Sequence, residues 1–165
     1  DYENAKPDIL ILGKALSGGV FPVSAVLANN EIMLCIQPGE HGSTFGGNPL
    51  ACAVAKSALE VVIDENLAEN AYVLGNYFRL KMNEFIEKSN LIKLIRGKGL
   101  LNAIVINDTE DSSTAWDLCI NMKNNGLLAK PTHGNIIRFA PPLTITKDQL
   151  NKCIDIIVKT IENFN

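Results

Sequence analysis

The sequence has only two histidines, His41 and His133, and its four cysteines, Cys35, Cys52, Cys119 and Cys153, form no CxxC pair. Neither histidine has further ligands at metal spacing. Glu40 beside His41 reads as a surface polar pair, and no metal site is expected. Basic residues are not in excess: 15 Lys and Arg against 18 Asp and Glu give a formal charge of −3. That balance lacks the electrostatic footprint of a nucleic-acid binder. No apolar run approaches the length that crosses a bilayer, so no membrane span is expected. The opening residues Asp1-Tyr2-Glu3-Asn4 have neither the basic flank nor the apolar run of a signal peptide. They also lack a Met, and a strand-like run begins almost at once, so the sequence reads as a piece of something longer. Internal repeats and low-complexity segments are absent.

What is present is a globular composition. Hydrophobic residues make up 47% of 165 residues, enough to bury a core and to exclude disorder as the main state. The length suits one domain or parts of two. The cysteines are read as reduced, core-type residues of an intracellular protein.

Asp8 to Leu12 is a continuous apolar run closed by Gly13, the pattern of a buried parallel strand. Val23 to Ala28 reads as a second strand after Pro22. Asn29 or Asn30 caps a short helix through Cys35. A loop from Gln37 to Gly47 holds four glycines in nine residues. Asn48-Pro49 then reads as a helix start, with a well-buried helix over Ala51 to Asp64. A second helix spans Asn66 to Glu87, with Leu67, Ala71, Leu74, Phe78, Met82 and Phe85 on one core face. Strands follow at Ile92–Ile95 and Leu100–Ile106, split by Gly97-Lys98-Gly99. A helix over Thr114 to Asn124 stops at Gly126. Short strands at Leu127–Lys130 and Ile136–Phe139 flank a turn at 131–134. Thr146 caps the last helix, whose Leu150, Ile154, Ile157, Val158 and Ile161 repeat at three and four. The boundary between two domains is placed near residue 64, giving 1–64 and 65–165. Two strands cannot close the first sheet alone, so the front part must complete a larger α/β sheet.

Three features carry chemistry. Lys14 follows the end of a strand and is ringed by Gly13, Gly18 and Gly19. Sites in α/β sheets form at such strand ends. An amine held partly out of water there has a lowered pKa and forms Schiff bases; the ordinary alternative is a solvated lysine in a turn. A nucleoside-phosphate loop is excluded, because it needs glycine where Asp8 stands and a hydroxyl residue where Ala15 stands. The segment Gly42-Ser43-Thr44-Phe45-Gly46-Gly47 before a helix start is either an anion cradle or a flexible loop with a capping hydroxyl. Arg138, within Ile136-Ile137-Arg138-Phe139, sits in an apolar strand and needs a partner. That partner is a carboxylate of the protein or of a substrate, gripped by two parallel hydrogen bonds.

Together these segments resemble the class III aminotransferases, which use pyridoxal 5'-phosphate (PLP). The resemblance rests on Gly13-Lys14-Ala15-Leu16-Ser17-Gly18-Gly19 with Phe21-Pro22-Val23-Ser24-Ala25, and on His41-Gly42-Ser43-Thr44-Phe45-Gly46-Gly47-Asn48-Pro49. It continues in Arg96-Gly97-Lys98-Gly99-Leu100 and Arg138-Phe139-Ala140-Pro141-Pro142-Leu143. The wording around Lys14 and in Ala129-Lys130-Pro131-Thr132-His133-Gly134 is nearest to members acting on ornithine. The resemblance implies an α/β chain: the end of a large fold type I PLP-binding domain, then a small α+β carboxyl-terminal domain. It implies that Lys14 carries PLP as a Schiff base and moves protons, that Thr44 with Ser43 binds the cofactor phosphate, and that Arg138 holds a substrate carboxylate. The Thr44 contact crosses to a neighbouring subunit in that family, implying a homodimer or higher homo-oligomer. The partners implied are amino-acid and 2-oxo-acid substrates, with no nucleic acid and no membrane. The implied reaction converts L-ornithine and 2-oxoglutarate to glutamate 5-semialdehyde and glutamate. Alternatives are acetylornithine or 4-aminobutyrate as donor, or a non-catalytic dimerising module of the same fold. The family's acidic partner of the pyridinium nitrogen and its ring-stacking aromatic lie upstream of Lys14, so this piece alone is expected to be inactive. The implied compartment is the cytoplasm, with the mitochondrial matrix as the other option.

Overall fold

In the computed structural model, which describes residues 3–164, the chain divides into two compact units, the first ending at Glu65 and the second starting at Asn66.

In the first unit the apolar run forms β1 (Ile9–Leu12), which pairs with β2 (Ala25–Ala28) from Ile9↔Ala28 to Leu12↔Ala25. The pairing is antiparallel, which corrects the parallel strand expected here. The twelve intervening residues form tight turns and hold no crossover helix, so the chain doubles back beside β1. The strand is also exposed rather than buried, with Ile11 at 74%, because no layer among the described residues covers it. A short α1 (Asn30–Met33) starts at Asn29, whose side chain accepts from the Ile32 amide at 3.0 Å. The next helix, α2 (Pro49–Asp64), starts at Asn48 with Pro49 in the first turn. It is not the well-buried helix expected from its composition. Ala51 and Ala55 are buried, while Leu50, Leu59 and Ile63 are exposed.

The second unit holds α3 (Leu67–Ile86), β3 (Ile92–Lys98), β4 (Leu101–Ile106), α4 (Thr114–Asn124), β5 (Lys130–Thr132), β6 (Ile136–Phe139) and α5 (Lys147–Glu162). The four strands form one antiparallel sheet in the order β3-β4-β6-β5. β3 runs on through Gly97 and Lys98, where a break was expected, and β5 starts at Lys130 rather than Leu127. Period-two alternation divides the sheet faces. Asn102, Ile104, Ile106, Ile137 and Phe139 are buried with Phe78 and Met82 of α3, Leu118 and Met122 of α4, and Ile157 of α5. The opposite face presents Leu101, Arg96 and Arg138 to solvent.

α3 approaches the β3–β4 turn at a glycine pair. A Cβ on Gly75 would lie 1.8 Å from the Gly99 carbonyl oxygen. Arg79 locks the contact, donating from Nη1 to the Gly99 carbonyl at 3.0 Å and to Asn102 Oδ1 at 2.6 Å. α5 begins with a capping box: Thr146 Oγ1 accepts from the Gln149 amide, and Gln149 Oε1 accepts from the Thr146 amide. Among the described residues no helix is long and apolar enough to cross a membrane.

Candidate functional site

Between β1 and β2 the chain makes successive tight turns: the Leu16, Gly18 and Val20 amides donate to the carbonyls of Gly13, Ala15 and Ser17. Ser17 is buried, and its hydroxyl closes the segment by donating to the Phe21 carbonyl and accepting from the Phe21 amide. The serine of this motif is therefore a clasp. Lys14 stands at the head of these turns with φ of 54°. A non-glycine residue in the left-handed region is uncommon, and such strain gathers at functional sites. Its side chain is exposed, so the desolvation expected around this amine is not supplied by the described residues.

Lys14 lines a cavity of about 570 Å³ together with Pro22, Ser24, Ser43, Phe45, Gly46 and Asn48. The structure thus brings Lys14 and Ser43 to one cavity. Thr44 adjoins Ser43 and is exposed but is not among the lining residues. Arg138 belongs to the second unit.

The anion-cradle expectation needs revision in detail. Asn48 Oδ1 accepts from the Leu50 and Ala51 amides at 2.9 and 3.2 Å, so the first-turn donors of α2 are partly engaged. The Gly46 amide donates to Ser43 Oγ at 2.9 Å. The Ser43 hydroxyl keeps its proton to donate, and Thr44 offers a second hydroxyl. Phe45, Ser24 and Cys52 line the cavity without having been singled out from sequence. An aromatic residue inside a glycine-rich loop was the available sequence signal for the first, which the structure leaves 79% exposed.

Arg138 does not sit inside an apolar environment. It is exposed, on the sheet face opposite the core. The alternation around it places Ile137 and Phe139 inward and the guanidinium outward, so no buried partner is required. Among the described residues the two ion pairs are Lys56–Glu60 and Lys81–Glu84, both on helix surfaces. Cys35 and Cys52 are exposed, correcting their reading as core residues; Cys119 is buried and Cys153 half-buried. Burial pushes the Cys119 thiol up to about 11. No group of three or more His, Cys, Asp or Glu among the described residues is placed to hold a metal ion.

Comparison with known proteins follows the same lines. The family model for aminotransferase class-III matches residues 1–161. The mitochondrial ornithine aminotransferase of Drosophila melanogaster is 61% identical over 161 residues, which is 98% of this chain and 36% of that protein. The chain thus spans about a third of the length of that curated relative. A crystal structure of acetylornithine aminotransferase from Elizabethkingia anophelis superposes with a TM-score of 0.95 at 69% identity, over 99% of this chain and 41% of that one. A structure of the ornithine aminotransferase from Toxoplasma gondii, described with partial occupancy of PLP at its active site, gives 0.88 at 47% identity over 98% and 38%.

Proposed function

The chain belongs to the class III aminotransferases, and from that premise we propose that the protein carrying it moves the terminal amino group of L-ornithine to 2-oxoglutarate, yielding glutamate 5-semialdehyde and glutamate. The observation that carries the reading is the primary amine of Lys14, held in left-handed backbone at the rim of a cavity lined by serine and glycine.

The residues present suit PLP. A lysine amine meets its aldehyde, and hydroxyl donors from the Ser43–Thr44 loop meet its phosphate. When bound, the cofactor supplies the electron sink that makes proton removal from the substrate carbon feasible. Lys14 would hold the cofactor through its amine, and its Nζ would carry the proton at the substrate carbon as general base and then general acid. Ser43 and Thr44 anchor the phosphate, Thr44 reaching the neighbouring subunit of a homodimer. Arg138 orients the substrate through its carboxylate. In this reading the first unit is the end of a large cofactor-binding domain, and the second is a small carboxyl-terminal domain. The work is done in an aqueous compartment, either the cytoplasm or the mitochondrial matrix.

A second reading keeps the reaction type and takes N-acetylornithine as donor. The 69% identity to the structure described as acetylornithine aminotransferase supports it. Initial rates of the full-length protein with L-ornithine, N-acetylornithine and 4-aminobutyrate, each with 2-oxoglutarate, test the proposal. L-ornithine should give the highest kcat/KM. A preference for either other donor overturns the ornithine reading.

A further inference from the structure

Ser17, in the turns between β1 and β2, is polar yet only 1% exposed. A buried hydroxyl is costly unless it is bonded. This one is bonded in both directions: it donates to the Phe21 carbonyl and accepts from the Phe21 amide at 3.1 Å. One oxygen therefore fixes both backbone polar groups of Phe21. The next residue is Pro22, which has no N–H to offer a strand ladder and restricts Phe21 to extended backbone. What the serine fixes at Phe21 is thus carried stiffly onward to Pro22, Val23 and Ser24.

Those three residues line the same cavity as Lys14, and Ser17 is not among its lining residues. The clasp joins two rims of that cavity from behind: Lys14 just before the serine, and the 22–24 segment beyond Phe21. The lysine needs such support. Its φ of 54° lies in the left-handed region, which a non-glycine residue keeps only where its surroundings over-determine it. Across it the Leu16 amide donates to the Gly13 carbonyl at 3.3 Å, and the Gly18 amide donates to the Ala15 carbonyl at 2.9 Å. A Cβ on Gly18 would stand 3.6 Å from that of Ala58, so the turns are also seated on α2. These backbone bonds are local to the turns. The Ser17 hydroxyl ties them to the opposite wall.

We propose that Ser17 is a positioning residue for the Lys14 amine: its two-way bond to Phe21 holds the backbone that carries Lys14 against the Pro22–Ser24 wall, so that Lys14 Nζ meets the PLP aldehyde from a fixed direction. The inference rests on the reading of Lys14 as the residue that holds PLP. It adds to that reading the group that aims the amine. It also gives the buried hydroxyl a task that filling space does not require, since alanine would occupy much of the same volume.

The test follows covalent capture in the full-length protein freed of cofactor. The Lys14 amine adds to the aldehyde of added PLP with loss of water, and borohydride then delivers hydride to the C=N bond and leaves a secondary amine. Peptide mapping after timed quenches gives the capture rate at Lys14 alone. Ser17→Ala should slow that rate about tenfold and lower kcat with KM within about twofold, as expected when a reacting group loses its fixed orientation. Ser17→Thr keeps the hydroxyl and should recover part of the rate. Ser17→Cys, close in volume with a weaker donor, carries the same comparison where Ser17→Ala does not fold. Ala55→Gly loosens α2 in the same unit without removing a bond of the clasp, and it should leave capture unchanged. Unaltered capture in Ser17→Ala, or equal slowing in Ala55→Gly, overturns the positioning role and leaves the Lys14 reading standing. Absence of a Lys14 adduct from the unsubstituted protein overturns both.

Discussion

Lys14, Gly75 and Cys119 each show what one side chain, or its absence, decides. At Gly75 the helix backbone lies against the Gly99 carbonyl with no room for a methyl group. Gly75→Ala must therefore push α3 away from the β3–β4 turn and disturb the Arg79 bonds to Gly99 and Asn102. A loss of about 3 kcal/mol is expected, at the upper end of ordinary overpacking, read as a lowered urea midpoint. Cys119 gives a pH signature. Its thiol is held neutral to about 11 in the folded state, above the ordinary thiol value of 9.0. Between those values the unfolded chain has lost the proton and the folded chain has kept it, so stability falls as pH rises from about 9 to about 11. Cys119→Ala should lack that part of the slope, a difference visible in paired denaturation curves at pH 8.5 and 10.5. The lysine at 14 was legible in the sequence from its glycine neighbours and the motif around it. Its left-handed backbone was not, because nothing in local composition marks a non-glycine residue for that region.

Helix starts were the best-written elements of the sequence. Asn29, Asn48 and Thr146 each accept a hydrogen bond from the first turn they precede. Ser113, which precedes α4, makes no cap bond and instead donates to Asp117 Oδ2 at 2.6 Å. Thr146→Ala should therefore cost about 1 kcal/mol, while Ser113→Ala should stay within about 0.5 kcal/mol; thermal unfolding of the two variants side by side checks the contrast. Strands were harder to read. β1 has the apolar run of a strand covered on both faces, and that pattern cannot reveal whether the neighbouring strand runs parallel. Arg138 looked anomalous because its strand was read as buried throughout; the alternation of Ile137, Arg138 and Phe139 already separated the two faces.

The core of the molecule lies on one side of the division between Glu65 and Asn66. Every member of the main hydrophobic cluster, from Leu74 to Ile161, belongs to the second unit. In the first, Ala51 and Ala55 are the buried apolar residues among those described, and Ile9, Ile11, Val20, Phe45 and Ile63 are half or more exposed. A fragment of residues 66–165 should thus unfold cooperatively in urea by circular dichroism, and one of residues 1–65 should show no such transition, since too little apolar area is buried to offset chain entropy. Cooperative unfolding of the shorter fragment would contradict this partition. The amine, the loop and the arginine were readable as motifs, whereas the exposure of Lys14 and of the first unit's apolar residues is a property of the folded chain. The central claim concerns Lys14, and it is tested most directly by equilibrating the full-length protein with PLP, reducing with borohydride and mapping the modified peptide by mass spectrometry. The account predicts a stable pyridoxyl adduct on Lys14, absent from Lys14→Ala, together with loss of amino transfer in that variant. An adduct at another lysine, or transfer undiminished in Lys14→Ala, would contradict it.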